Sequence, residues 1–110
     1  MIGFLLRLLR PAVLALVLSW MSAGASAATV HHVAQKNRAF SVNEITIARG
    51  DVVEFSNNDE FLHQIYISDM GIDSAEQHPG ETITVTFSQT GTFAVHCHIH
   101  PKMLLVVHVN

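Results

Sequence analysis

The residues with the most distinctive chemistry lie near the C-terminal end of the chain. Segment 97–103 contains Cys97, His100 and Met103 at three-residue intervals. Thiolate and thioether sulfur are soft metal ligands and imidazole is intermediate, so this combination favours copper over hard cations. Two imidazoles, one thiolate and a weak axial thioether form a trigonal copper site suited to electron transfer. The segment therefore predicts a copper centre that needs one more histidine from elsewhere in the chain.

His63 is the best candidate for the second imidazole. Alternation along segment 61–67 places His63 on one strand face with Phe61, Ile65 and Ile67, and we expect that face to point inward. A neutral imidazole among apolar side chains is costly unless its nitrogens find partners, which a metal and a hydrogen-bond acceptor would supply. Cys97 also points inward by alternation. Taken singly, Cys97 could equally be an inert buried thiol, and His63 could be a core histidine whose nitrogens have hydrogen-bond partners in the protein.

Strands are predicted for most of the remaining chain. Period-2 alternation recurs in segments 30–34, 44–47, 51–55, 61–67, 82–87, 92–97 and 105–109. Turn signals such as Gly50 and Gly91 separate them. The one long connection, 68–78, could contain a short helical turn around 73–77. About seven short strands with regular turns predict an all-β sandwich or barrel.

Residues 1–27 have the pattern of a cleaved secretory signal peptide. Arg7 and Arg10 precede an apolar run, and Ala25-Ser26-Ala27 is a small-residue cleavage site. The apolar run is short for a membrane anchor, which is the alternative. We therefore expect one mature domain, residues 28–110, that is exported to the periplasm and has no membrane span after cleavage.

The composition of the mature chain limits its functions. Four Lys and Arg residues against nine Asp and Glu residues give the mature chain a net charge of −5. This charge argues against nucleic-acid binding, which requires a basic surface. It predicts that long-range electrostatic attraction directs the protein toward a basic partner surface. The single cysteine excludes an internal disulfide framework. The chain has no hydrolase or phosphate-loop motif, and an inward thiol argues against a thiol hydrolase, so we expect no enzyme.

Several motifs together resemble the cupredoxin family, especially its plastocyanin and amicyanin members. They are Asp51-Val52-Val53, Asn57-Asn58, His63, Pro79-Gly80, Phe87, Gly91, the loop Cys97-x-x-His100-Pro101-x-Met103 and the final Val107-x-Val109. The resemblance runs from about Phe40 to Val109, and the short ligand loop is most similar to that of amicyanin. It implies a Greek-key β-sandwich that holds one type 1 copper.

The resemblance also implies the ligands and the role. His63, Cys97, His100 and Met103 would bind the copper of a monomeric single-electron carrier. Redox proteins would dock transiently near His100, on an apolar patch for which Leu62, Met70, Pro101 and Leu104 are the candidates. A periplasmic copper carrier, or metallochaperone, that holds Cu(I) at the same ligands is the alternative, and a copper enzyme with an open coordination position is a third possibility.

Two departures from the family pattern stand beside the ligands. Gln64 follows His63 where the family often has an asparagine that pins the ligand loop. His96 and His98 flank Cys97 as in multicopper oxidases, but the further His-x-His pairs of such enzymes are missing from the sequence. We expect His96 to be a solvent-side strand residue and the pair Asp59-Glu60 to be solvated.

Overall fold

The structure is a computed structural model, and it describes residues 27–110. The predicted signal peptide, apart from its last residue, lies outside the described residues. The strands are β1 (Val30–Lys36), β2 (Ala39–Phe40), β3 (Glu44–Ile47), β4 (Val52–Asn57), β5 (Tyr66–Ile67), β6 (Ile72–Asp73), β7 (Thr82–Thr86), β8 (Gly91–His96) and β9 (Leu104–Val109). Within the described range, no helix has the length and apolar character needed to cross a bilayer.

The strands form two sheets. One sheet has the order β2-β1-β4-β7 and the other has the order β3-β9-β8-β5-β6. Most neighbouring strands are antiparallel, but β1 pairs with β4 and β3 pairs with β9 in parallel. These parallel pairs join strands that are not consecutive in the chain. The predicted all-β sandwich is confirmed, with nine strands in residues 27–110 rather than about seven, because the two-residue strands β2 and β6 have no counterpart in the prediction.

The core lies between the two sheets and follows the alternation of the sequence. In β4, Val53 and Phe55 are fully buried while the residues between them are only half-buried. In β8, Phe93 and Val95 are buried, and the same alternation continues to Cys97 just beyond the strand. Each buried side chain of this size stabilises the fold by roughly 1.5–3 kcal/mol through apolar burial. The thiol of Cys97 is therefore carried into the core by the strand that precedes it.

The predicted strand 61–67 is wrong over its first half. Only Tyr66–Ile67 is a strand, and Phe61 is 39% exposed rather than inward. The side chain of Asn57 donates to the Phe61 carbonyl, which holds this segment as a loop. His63, Ile65 and Ile67 are fully buried as predicted. The short helical turn lies at Ser68–Met70, earlier than the expected position around 73–77.

One end of the sandwich collects the segments that bear chemistry. Because β1 and β4 are parallel, the Lys36 end of β1 and the Asn57 end of β4 lie at the same end of the sandwich. β8 ends at His96, which is in register with both Tyr66 and Leu104. Segment 97–103 therefore connects β8 to β9 at the end of the sandwich where segment 58–65 crosses from one sheet to the other.

Asp51 anchors the start of the described chain. Its carboxylate accepts hydrogen bonds from the Thr29 and Ala48 backbone amides, each at 3.0 Å, and lies 2.9 Å from His31 Nε2. The bond with His31, followed by the two amide bonds, lowers the pKa of Asp51 below its ordinary value of 3.8. A carboxyl group that is more acidic in the folded state stabilises the fold above its unfolded-state pKa.

We expect Asp51→Asn to flatten the acid limb of the stability curve. In the parent protein the contribution of Asp51 is fully present above pH 3.8 and is lost as the pH falls through the lower folded-state pKa. The free energy of unfolding of Asp51→Asn should therefore depend less on pH below about pH 4, as measured by urea unfolding at several pH values. The exposed Glu76→Gln serves as the control, and equal slopes for all three proteins would contradict the assignment.

Candidate metal centre

His63 and Cys97 meet inside the sandwich. His63 is fully buried and Cys97 is 1% exposed. The Nδ1 atom of His63 lies 3.9 Å from the Sγ atom of Cys97, although the two residues are 34 positions apart in sequence. Burial of both residues and their approach agree with the inward orientation that alternation predicted.

Asp59 determines which nitrogen of His63 faces the thiol. The Nε2 atom of His63 lies 3.0 Å from Asp59 Oδ2. Hydrogen bonds, first from the Arg38 backbone amide and then from the imidazole of His63, lower the pKa of Asp59 to about 2. At neutral pH this carboxylate is ionised and can only accept, so Nε2 carries the proton. The lone pair of the neutral ring is then on Nδ1, the atom that faces Cys97.

This environment of Asp59 overturns an expectation from the sequence. Asp59 was expected to be solvated, but it is only 6% exposed, whereas its neighbour Glu60 is exposed. The Asn57 side chain accepts a hydrogen bond from the Asp59 backbone amide, which turns the chain inward at this point. The signal available in the sequence is the run Asn57-Asn58-Asp59, because such residues favour turns closed by their own side chains.

The ring of His100 lies next to the ring of His63. The ring centroids are 4.9 Å apart, and the ring edge of Phe61 packs against His100 with a centroid distance of 6.1 Å. His100 is half-buried, and its Nε2 atom lies 3.1 Å from the Leu62 carbonyl oxygen. A carbonyl only accepts, so Nε2 is again the protonated nitrogen and Nδ1 again has the lone pair.

The loop between β8 and β9 also brings Met103 to this end of the core. The Met103 amide donates to the His100 carbonyl at 3.0 Å, which closes a tight turn through Pro101 and Lys102. Met103 is 2% exposed and belongs to the same apolar cluster as Cys97. The turn therefore leaves His100 near the surface and returns the next apolar side chain to the interior.

The donor atoms suit a soft metal ion. An ion bound at typical nitrogen and sulfur distances in a trigonal plane separates these two ligands by roughly 3.7 Å, which is close to the 3.9 Å between His63 and Cys97. Within residues 27–110, no three His, Cys, Asp or Glu side chains are already grouped closely enough to hold a metal. His63 and Cys97 are thus close to the separation that such an ion needs, with the ring of His100 beside that of His63.

A buried polar network supports the backbone of His63. His63 and Gln77 exchange two backbone hydrogen bonds of 3.0 and 2.7 Å. The Gln77 side chain, fully buried, donates to the Phe55 and Glu81 carbonyls and accepts from Gln35. The other side-chain groups of this network are paired, whereas the buried Oε1 atom of Gln35 has no partner among the described residues, and each further lost partner would leave another costly unpaired group.

Gln64, where the family often has an asparagine, bonds to residues 73 and 74 rather than to the loop 97–103. Its side-chain amide donates to the Ser74 carbonyl at 2.7 Å and to the Asp73 carboxylate at 2.6 Å. The backbone amide of Ile65 also donates to the Ser74 hydroxyl. The longer side chain therefore still ties the His63 segment to the connection that follows it.

The two histidines that flank Cys97 lie apart from its thiol. His98 is exposed, stacks on Tyr66 with a centroid distance of 4.0 Å and lies 3.9 Å from the Asp73 carboxylate. His96 is half-buried in β8, not simply solvent-side as expected. The alternation of the strand sends their side chains away from the face to which Cys97 points.

Comparisons with known proteins agree with this architecture. A family model described as a cupredoxin-like domain matches residues 9–107. Plastocyanin from Rumex obtusifolius is 32% identical over 75 residues, which cover 56% of this chain and 76% of that protein. The reduced Cu(I) form of an amicyanin variant superposes with a TM-score of 0.70 at 22% identity, covering 76% of this chain and 85% of amicyanin.

A larger protein also contains a similar fold. A copper-containing nitrite reductase from Thermus scotoductus matches with a TM-score of 0.66 at 25% identity. The match covers 73% of this chain but 22% of the reductase. The likeness therefore concerns one portion of that enzyme.

We expect Gln77→Leu to destabilise the domain by about 3 kcal/mol, because it removes three side-chain hydrogen bonds and leaves the buried Gln35 amide without its acceptor. Urea unfolding measures the change. Gln89→Leu, the same substitution at an exposed position, is the matched control and should change the free energy of unfolding by less than about 0.5 kcal/mol. Similar losses in both variants would show that the network around His63 is not a special source of stability.

Proposed function

The chain belongs to the cupredoxin-like family, and from this premise we propose that it is a small type 1 copper protein that carries single electrons. The observation that carries the proposal is the approach of His63 Nδ1 to Cys97 Sγ in a water-poor core. The ligands proposed are His63, Cys97, His100 and Met103, with one copper per chain.

The donor set supports copper. A thiolate, two neutral imidazoles and a thioether are the ligands of blue-copper electron-transfer sites, where the axial sulfur is weakly held and tunes the potential. Bound copper would supply the redox couple by alternating between Cu(II) and Cu(I). The plastocyanin and amicyanin relatives support the same choice, since the amicyanin structure is a Cu(I) form.

The protein residues would each hold one part of this centre. Asp59 fixes the His63 ring with its Nδ1 lone pair toward the site. The apolar cluster around Cys97 and Met103 excludes water from the sulfur ligands. Gln77 and Gln64 hold the two ends of the His63 segment. A rigid site changes little when its charge changes, which keeps the barrier to electron transfer low.

His100 is the proposed electron port. It is the half-buried member of the set, whereas the other three ligands are at most 2% exposed. A redox protein that contacts its ring would need no substrate cleft. The wide coverage of plastocyanin by this chain, against the small fraction of the reductase, supports a carrier rather than an enzyme.

The site of action proposed is the periplasm. The sequence of residues 1–27 has the charge, apolar run and small-residue cleavage site of a secretory signal. The mature protein would be residues 28–110, acting as a monomer that meets its partners transiently.

We expect the mature domain with one equivalent of Cu(II) to be intensely blue, and Cys97→Ser to lose this colour. Charge transfer from a thiolate to Cu(II) needs the sulfur, which serine replaces by a hard oxygen. Optical and paramagnetic-resonance spectra measure the change. Met103→Leu is the comparison variant and should remain coloured, because the axial thioether is only a weak ligand. A pale parent protein that binds Cu(I) and releases it to a chelator would indicate a copper carrier instead.

We expect Asp59→Asn to lower the Cu(II) affinity of the domain by about 10- to 100-fold, the usual effect of losing a group that orients a ligand histidine. The carboxylate accepts from the Glu60 amide on Oδ1 and from the Arg38 amide and His63 Nε2 on Oδ2, whereas an asparagine has one accepting atom and its NH₂ group must face one of these donors. Competition with a chelator measures the affinity. Glu60→Gln removes the adjacent, exposed carboxylate and should have little effect. An equal loss in both variants would point to net charge rather than ring orientation.

A further inference from the structure

A shallow depression beside His100 combines apolar and cationic side chains. It has a volume of about 280 Å³ and is lined by Arg38, Ile99, His100, Pro101 and Lys102. Ile99 is 41% exposed. We refer to these five residues as the port groove. Met70, expected beside His100, instead lines a different depression with Asp69 and Thr86.

Arg38 is held in place at the port groove. It follows Asn37 in a two-residue hairpin between β1 and β2, and both residues have left-handed backbone angles, with φ of 52° and 56°. The Arg38 amide donates to Asp59 at 2.7 Å. Its guanidinium carbon lies 3.8 Å from the ring centroid of Phe61, the ring that packs against His100. The cation is therefore stacked on an aromatic face rather than free in solvent.

The cations of the port groove, Arg38 and Lys102, have no carboxylate of the described chain within salt-bridge distance of their charged groups. Within residues 27–110, every ion pair joins a histidine to a carboxylate, and no Lys or Arg side chain takes part in one. The paired carboxylates are Glu44, Asp51, Glu54, Asp59, Asp73 and Glu81. Lys36, at the end of β1, adds a third exposed cation at this end of the sandwich. The nearby exposed carboxylate along the chain is Glu60.

The sign of the charges that line the port groove therefore differs from the sign of the net charge. The net charge of −5 predicts a basic partner, but the groove beside His100 is lined by two cations, Arg38 and Lys102, and by no carboxylate of the described residues. Short-range docking responds to local charge, because opposite charges beyond about 8–10 Å are largely screened at physiological salt.

We propose that the port groove docks a redox protein through a surface that presents carboxylates around an apolar centre. The inference rests on the proposed function, since it identifies the partner class for the same electron port. The exposed apolar residues Phe61, Ile99 and Leu104 supply the contact area, and Arg38 and Lys102 supply the attraction. A small apolar centre with a charged rim suits a weak, transient complex.

The first test measures binding alone and does not depend on electron transfer. Poly-L-glutamate, as the carboxylate probe, is titrated into the ¹⁵N-labelled mature protein at low salt, and poly-L-lysine is titrated in parallel. We expect poly-L-glutamate to perturb the amides of Arg38, Ile99 and Lys102, with an affinity that falls as salt increases. Arg38→Gln and Lys102→Gln should each weaken it by about threefold.

The matched control is Arg49→Gln, which makes the same change in net charge at the turn between β3 and β4. It should leave the affinity for poly-L-glutamate unchanged. An equal effect of all three variants, perturbation of these amides by poly-L-lysine instead, or concentration-dependent self-association through the port groove would overturn the proposal.

The second test separates the docking surface from the proposed function. The Cu(I) protein is oxidised by hexacyanoferrate(III), a trianion, at increasing ionic strength. We expect the rate to fall with salt despite the negative net charge, and Arg38→Gln to slow the reaction at low salt by about threefold. A rate that rises with salt would overturn the charge assignment. Binding of poly-L-glutamate by a protein that is not oxidised would instead contradict the electron-carrier function.

Discussion

The hydrogen bond between His63 and Asp59 is the constraint on which the site depends. A buried imidazole needs a partner for its N–H, and an ionised carboxylate can only accept. With Nε2 committed to Asp59 at 3.0 Å, the lone pair is fixed on Nδ1, 3.9 Å from the thiol. Asp59 itself is kept ionised by the amide of Arg38, so the ligand ring and the hairpin beside the port share one carboxylate.

The distribution of buried polar groups shows how the sandwich supports this end. Of the six buried polar or charged residues in the described part of the chain, five lie in or around the His63 network, namely Gln35, Asn57, Asp59, His63 and Gln77, and the sixth is Asp51. The rest of the core is apolar and follows strand alternation. The apolar core therefore supplies most of the stability, whereas the polar cluster determines the conformation of the ligand segment. Gln77 couples the stability of the domain to the geometry of the site. Its buried side chain donates to β4, and its backbone pairs with that of His63.

Local patterns in the sequence predict part of this arrangement. Alternation places His63 and Cys97 inward because period 2 fixes the face of every strand residue, and the resemblance of segment 97–103 to the cupredoxin loop implies the ligand set that we propose. Phe61 was misplaced because a loop, held by the Asn57 side chain, replaces the first half of the strand. Asp59 and Gln77, the partners of His63, were missed because their burial depends on contacts between distant segments. The cations of the port groove could not be located from the net charge, because a net charge contains no positions.

The most direct measurement is a crystal structure of the mature domain loaded with one equivalent of copper. The account predicts one ion bound by Nδ1 of His63, Sγ of Cys97 and a nitrogen of His100, with the sulfur of Met103 as the weaker neighbour and Asp59 still paired with His63. Copper held by surface histidines such as His31 or His98, with His63 and Cys97 left without a metal between them, would contradict it.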